Sequence, residues 1–180
     1  IMKKTLTLLV IILLGTTLSS NAQKFAGLQK SPTDISSAKA DRGQKPDIKV
    51  IYSRPQKKGR TLFGELVPFD KVWRTGANEA TEIKLFKDMM LGDTMVKAGT
   101  YSLFTIPGEK EWTIILNSDI DSWGAYTYDE NKDIARIKVP VSEAKELEAF
   151  SISFEKTDNG YHMFLAWDTT LVKVPFVITK

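Results

Sequence analysis

Apolar side chains recur at every second position in run after run of this chain, and turn residues cut the runs short. A period of two sets alternate side chains on opposite faces of a strand, whereas a helix needs a period near 3.6. Ile48, Val50 and Tyr52 form one run, Ile83 and Leu85 another, and Ile137, Val139 and Val141 a third. Phe150, Ile152 and Phe154 alternate with Ser151, Ser153 and Glu155 in the cleanest case. Val172, Val174, Phe176 and Ile178 close the series, with Pro175 suited to an edge. Gly92-Asp93, between Met90-Leu91 and Thr94-Met95, suits a type II′ hairpin. Pro107-Gly108 separates residues 101–106 from 112–116, and Asp158-Asn159-Gly160 separates the Phe150 run from residues 161–167. The pattern predicts an all-β fold: a single antiparallel β-sandwich, jelly-roll-like, of about nine strands with at most one short helix. Only residues 142–148 read as helix, with Ser142 as cap before Glu143, Ala144, Lys145 and Glu146.

Lys3 and Lys4 precede an apolar run over residues 8–14, and Ser20 and Ala22 are small residues at the −3 and −1 positions of a cleavage point after Ala22. Residues 1–22 are therefore expected to be a secretory signal peptide, and the protein to be exported, periplasmic or secreted. The run is shorter than the roughly 20 residues of a stable span, so no stable membrane insertion is expected after cleavage. Cleavage would leave 158 residues with 23 basic and 22 acidic side chains. Residues 23–46, rich in Lys, Ser, Asp and Gln, read as an extended lead-in, and residues 47–180 as a single β-sandwich domain. A domain of that size buries about 68–70% of its unfolded surface, so it needs no covalent staple.

Cysteine is absent, which excludes disulfides, thiolate metal sites and thiol nucleophiles. The formal charge of +3 has no concentrated basic stripe behind it, so nucleic acid is not an expected partner. The single histidine, His162, lies on a strand face with Phe164 and reads as structural. Asn117, Asp119 and Asp121 stand at alternate positions, as do Asp129, Asn131 and Asp133, a spacing found in calcium loops. Neither series has glycine at the sixth position or glutamate at the twelfth, so neither a metal nor a cofactor is expected.

The densest chemistry is Val72-Trp73-Arg74-Thr75-Gly76-Ala77-Asn78-Glu79-Ala80-Thr81, read as a loop ahead of a strand. It holds an aromatic face, a planar cation, a hydroxyl, an amide and a carboxylate, the parts of a small-molecule site. Arg54 and Gly59-Arg60 add cations upstream, and Trp123-Gly124-Ala125-Tyr126 adds aromatics downstream. The expected ligand-binding residues are Arg54, Trp73, Arg74, Thr75, Asn78, Glu79, Trp123 and Tyr126. Structural duties compete with that reading: Arg74 pairing with Glu79 or Glu82, Trp73 plugging the open end of the sandwich.

Tyr52-Ser53-Arg54-Pro55, the Trp73–Thr81 block, Ala98-Gly99-Thr100-Tyr101-Ser102-Leu103-Phe104-Thr105-Ile106-Pro107 and Trp123-Gly124-Ala125-Tyr126 together resemble a bacterial exported family, domain of unknown function 2911. The resemblance runs from about Ser31-Pro32 to the C-terminus and implies a β-rich fold and an envelope or secreted location. It implies no reaction, cofactor or catalytic residue. The expected function is binding of a small polar ligand, a glycan or a carboxylate. Trp73 and Trp123 would stack on it, Arg54 and Arg74 would hold an anionic or hydroxyl group, and Asn78 would orient it. One alternative is a carboxylate-dependent hydrolase with Glu79 as acid or base and Asp119, Asp121 or Glu82 as its partner. Another is a module that docks on an envelope protein.

Overall fold

The computed structural model describes residues 25–179, and the expected signal peptide, residues 1–22, lies outside the described residues. The strands are β1 (Thr33–Ala38), β2 (Ile48–Ser53), β3 (Thr81–Leu85), β4 (Met89–Leu91), β5 (Thr94–Val96), β6 (Gly99–Ile106), β7 (Glu111–Asn117), β8 (Asp133–Thr157) and β9 (Gly160–Ile178). They form one antiparallel sheet in the order β1-β2-β3-β6-β7-β8-β9-β4-β5, open at its β1 and β5 edges. The one helical piece among the described residues is a 3-10 turn over Glu130–Lys132, and no helix there is long and apolar enough to cross a membrane.

The sheet becomes a sandwich through β8, 25 residues long. Its first part pairs with β7 as far as Pro140, and from Val141 onward it pairs with β9. Register shifts between Glu143 and Leu147, and again between Leu147 and Ser151, bend it. A bulge turns faces over because side chains alternate with a period of two. Buried positions are accordingly odd before the bend, at Ala135 and Val139, and even after it, at Phe150 and Ile152. β9 makes the matching change between Met163, Leu165 and Trp167 and then Val172, Val174 and Phe176. The far part of β8 thereby lies over β2: the buried Ile152 amide donates to the Tyr52 hydroxyl at 3.0 Å, and the Tyr161 hydroxyl donates to Asp47 at 2.8 Å. Side chains from both halves make one core.

The structure departs from expectation in three places. Residues 142–148 are bulged strand, not helix. A helix of so few residues has little stability alone, whereas continuing β8 gives Ser142 and Glu143 pairing with Leu171 and Thr170. Runs expected as separate strands join into the long β8 and β9. Finally, the extended lead-in supplies β1, which pairs with β2 along its whole length. Ile35 is exposed in β1, so backbone pairing rather than apolar periodicity makes this edge strand. The β4–β5 turn follows the reading of its sequence, with Gly92 at φ 59°.

Candidate functional site

Three irregular segments gather at one end of the sandwich. Residues 54–80 connect β2 to β3 and are stitched to the sheet where Trp73 exchanges backbone hydrogen bonds of 2.7 and 3.0 Å with Thr105 of β6. Their upstream part is tied to β8, with the Phe150 amide donating to the Pro55 carbonyl and the Lys57 amide to the Glu148 carbonyl. The Lys57 ammonium also bridges Asp168 and Glu146, which push its pKa up to about 12. The loop after β7 joins from the other side: Ala80 donates to the Ser122 carbonyl and Gly124 to the Asn78 carbonyl.

Most of the chemically rich residues in the Trp73–Thr81 block have structural work. Trp73 stacks on Trp167 with centroids 6.1 Å apart and meets Phe63, Trp112 and Phe150 edge-on. Its indole N–H donates to the Gly76 carbonyl at 3.1 Å. Thr75 is fully buried, has φ 55° and donates from its hydroxyl to the Thr105 hydroxyl. Gly76 admits no side chain, because a Cβ there would stand 2.9 Å from the Ser53 carbonyl oxygen. Asn78 takes φ 59°, a conformation its type tolerates, and its amide donates to Gln29, Ser31 and Ser53. Arg54 is also spent: its guanidinium holds the Phe150 carbonyl, Asp34 and the Ser151 hydroxyl at 2.8–3.0 Å.

Arg74 is different. Among the described residues it enters no ion pair, with Glu79, Glu82 or any other carboxylate, and its buried Nε has no hydrogen-bond partner. It lines an open cleft of about 440 Å³ bounded by all three segments: Pro55 and Arg60, then Val72, Trp73, Gly76 and Ala77, then Ala125 and Tyr126. That volume is in the range of small-ligand sites. The lining contains two arginines and no carboxylate. Gly124, at φ 72°, lets the cleft wall close up, since a Cβ there would lie 3.0 Å from Arg74 Nη1 and 2.8 Å from the Tyr126 ring.

Of the expected ligand residues, Trp73, Arg74 and Tyr126 line this cleft, and Arg54, Thr75, Asn78, Glu79 and Trp123 do not. Glu79 lines a neighbouring cavity of about 380 Å³ with Glu82 and Asp121, and bridges through its backbone to the exposed Trp123. Asp119 is held by Lys132 at 2.8 Å, and that hydrogen bond lowers its pKa. The two acidic series merge into one network: Asn117 donates to Asp133 and to the Asp129 carbonyl, and Asp129 caps the 3-10 turn. Trp167 in the cleft wall carried no sequence signal, since nothing in a strand-interior tryptophan says which loop will reach it, whereas the Gly59-Arg60 pair already marked Arg60 as a cation near a strand end.

No curated protein and no solved structure matches the chain. A family model described as "Protein of unknown function (DUF2911)" matches residues 31–176, which include β1 to β8, β9 as far as Phe176, and every wall of the cleft. The chain belongs to the DUF2911 family.

Proposed function

We propose that this domain binds a small organic anion in the cleft beside Arg74. The observation that carries the reading is the guanidinium itself, which lines the cleft and enters no ion pair among the described residues. A guanidinium in the wall of an open cleft can hold an oxyanion through charge-assisted hydrogen bonds from its terminal nitrogens. Arg60 in the same wall, with no carboxylate beside it, supports the same sign of ligand. The residue 1–22 pattern supports an exported setting, periplasmic or secreted. Melting curves with acetate, hexanoate, benzoate and phosphate test the reading, because a ligand of the native state raises the midpoint. The expected result is a rise with at least one anion that disappears in Arg74→Met. No rise with any of them, or a rise that survives the substitution, refutes it.

A second reading, carboxylate-dependent hydrolysis, is favoured by the adjoining cavity, where Glu79, Glu82 and Asp121 enter no ion pair among the described residues. Release of a chromogenic aglycone that is abolished by Glu79→Gln would support it over pure binding.

A further inference from the structure

Arg74 stands between two residues whose backbones are pinned. Trp73 is paired with Thr105 through both of its backbone groups, and Thr75, fully buried, has φ 55°. A β-branched residue rarely takes that left-handed conformation, and such strain persists only where the surroundings over-determine it. We infer that Thr75 is a positioning residue for the anion site: its strained, buried turn fixes the backbone of Arg74, so that the guanidinium is already aimed into the cleft when a ligand arrives. This rests on the anion-binding reading above and adds what holds the cation in place.

Three threonines make the pin. Thr75, Thr81 and Thr105 are all fully buried, although they come from the long loop, the start of β3 and the interior of β6. The Thr81 amide donates to the Arg74 carbonyl at 3.1 Å and its hydroxyl to the Thr75 carbonyl at 2.6 Å, so one residue grips two successive carbonyls. The Thr75 hydroxyl donates in turn to the Thr105 hydroxyl at 3.2 Å. A turn that needed only a left-handed residue would be served by asparagine or glycine, as at Asn78 and Gly124 nearby. What threonine adds at position 75 is a stiff side chain whose hydroxyl ties the turn to β6. The Arg74 Nε is buried as well, so the fixed part of the residue extends to the root of its guanidinium. A cation held in this way has less freedom to lose on binding than one on a mobile loop.

The buried Nε–H of Arg74 is a direct reporter, as a nitrogen–proton NMR resonance identified by its loss in Arg74→Met. Its relaxation in the unaltered protein is expected to match that of rigid backbone amides, and in Thr75→Gly to approach that of an exposed arginine. Affinity for whichever of acetate, hexanoate, benzoate and phosphate binds should fall about fivefold in the same variant. Thr75→Ser keeps the hydroxyl and is expected to behave as the unaltered protein in both measurements. Urea midpoints taken alongside separate positioning from stability. A Thr75→Gly protein with a shifted midpoint but unchanged Nε relaxation and anion affinity makes Thr75 merely structural and overturns the inference. Thr81→Val removes only the hydroxyl on the Thr75 carbonyl, and it is read in the same way if Thr75→Gly does not fold. An Nε that loosens in Thr75→Gly, with no anion bound by the unaltered protein, overturns the anion reading and leaves the fixing of Arg74 by Thr75 standing.

Discussion

Replacing Arg74 with methionine is expected to stabilise the empty protein while destroying its ligand site. Methionine keeps an unbranched stem but removes the buried Nε that has no partner among the described residues. An unsatisfied buried donor costs about 1–3 kcal/mol. Arg74 is half-buried and the rest of its guanidinium reaches the open cleft, so the gain should fall near the lower end, about 1 kcal/mol. For a domain of this length that corresponds to a rise of about 2–4 °C in Tm. Arg54→Met is the control with the opposite sign. It breaks three hydrogen bonds, to the Phe150 carbonyl, Asp34 and Ser151. With the Asp34 pair discounted for its exposure, the loss should be about 2 kcal/mol. Urea unfolding of both variants at equal slope reads the two effects directly. A loss in Arg74→Met as large as that in Arg54→Met would make Arg74 a structural cross-link and remove the ground for the proposed function.

Gly124→Ala forces an L-residue into φ +72° and sets a Cβ against Arg74 Nη1 and the Tyr126 ring. Stability should fall by only about 1–2 kcal/mol, since Tyr126 is exposed and can swing away, while anion affinity falls more than about tenfold; unchanged affinity in a titration would contradict the convergence of those two side chains. At high pH the relevant group is Tyr161, whose pKa is raised above its ordinary 10.0 first by burial and then by its hydrogen bond to Asp47. The folded state holds that proton more tightly than the unfolded chain. Its stabilisation is therefore complete below about pH 10 and is lost as the pH rises through the raised folded value. Urea midpoints for Tyr161→Phe should decline less steeply above pH 10 than those of the unaltered protein, and parallel curves would refute this.

The sandwich was legible because the apolar period of two reports burial on one face, and burial drives sheet packing. Even the bend in β8 is written there, as the change from odd positions at Ile137, Val139 and Val141 to even positions at Phe150, Ile152 and Phe154. β1 was hidden because edge pairing is made by the backbone, which side-chain pattern does not report. The helix-forming composition of residues 142–148 misled for a related reason: intrinsic propensity is worth a few tenths of a kcal/mol per residue, and strand pairing with β9 outweighs it.

The site divides in the same way. From sequence, the Trp73–Thr81 block and its flanking arginines and aromatics mark out one region of unusual chemistry, and the three segments do converge. Residue types alone cannot tell Arg54 from Arg74, because both are arginines beside small and aromatic neighbours. Tertiary structure separates them by what each guanidinium meets: Arg54 finds a carboxylate, a hydroxyl and a carbonyl, and Arg74 faces a cleft. Local pattern therefore determined the strands and the region of the site. Which polar groups were left without partners was decided only when segments as far apart as Ser31 and Trp167 came together, since satisfaction of a buried donor depends on atoms distant in the chain.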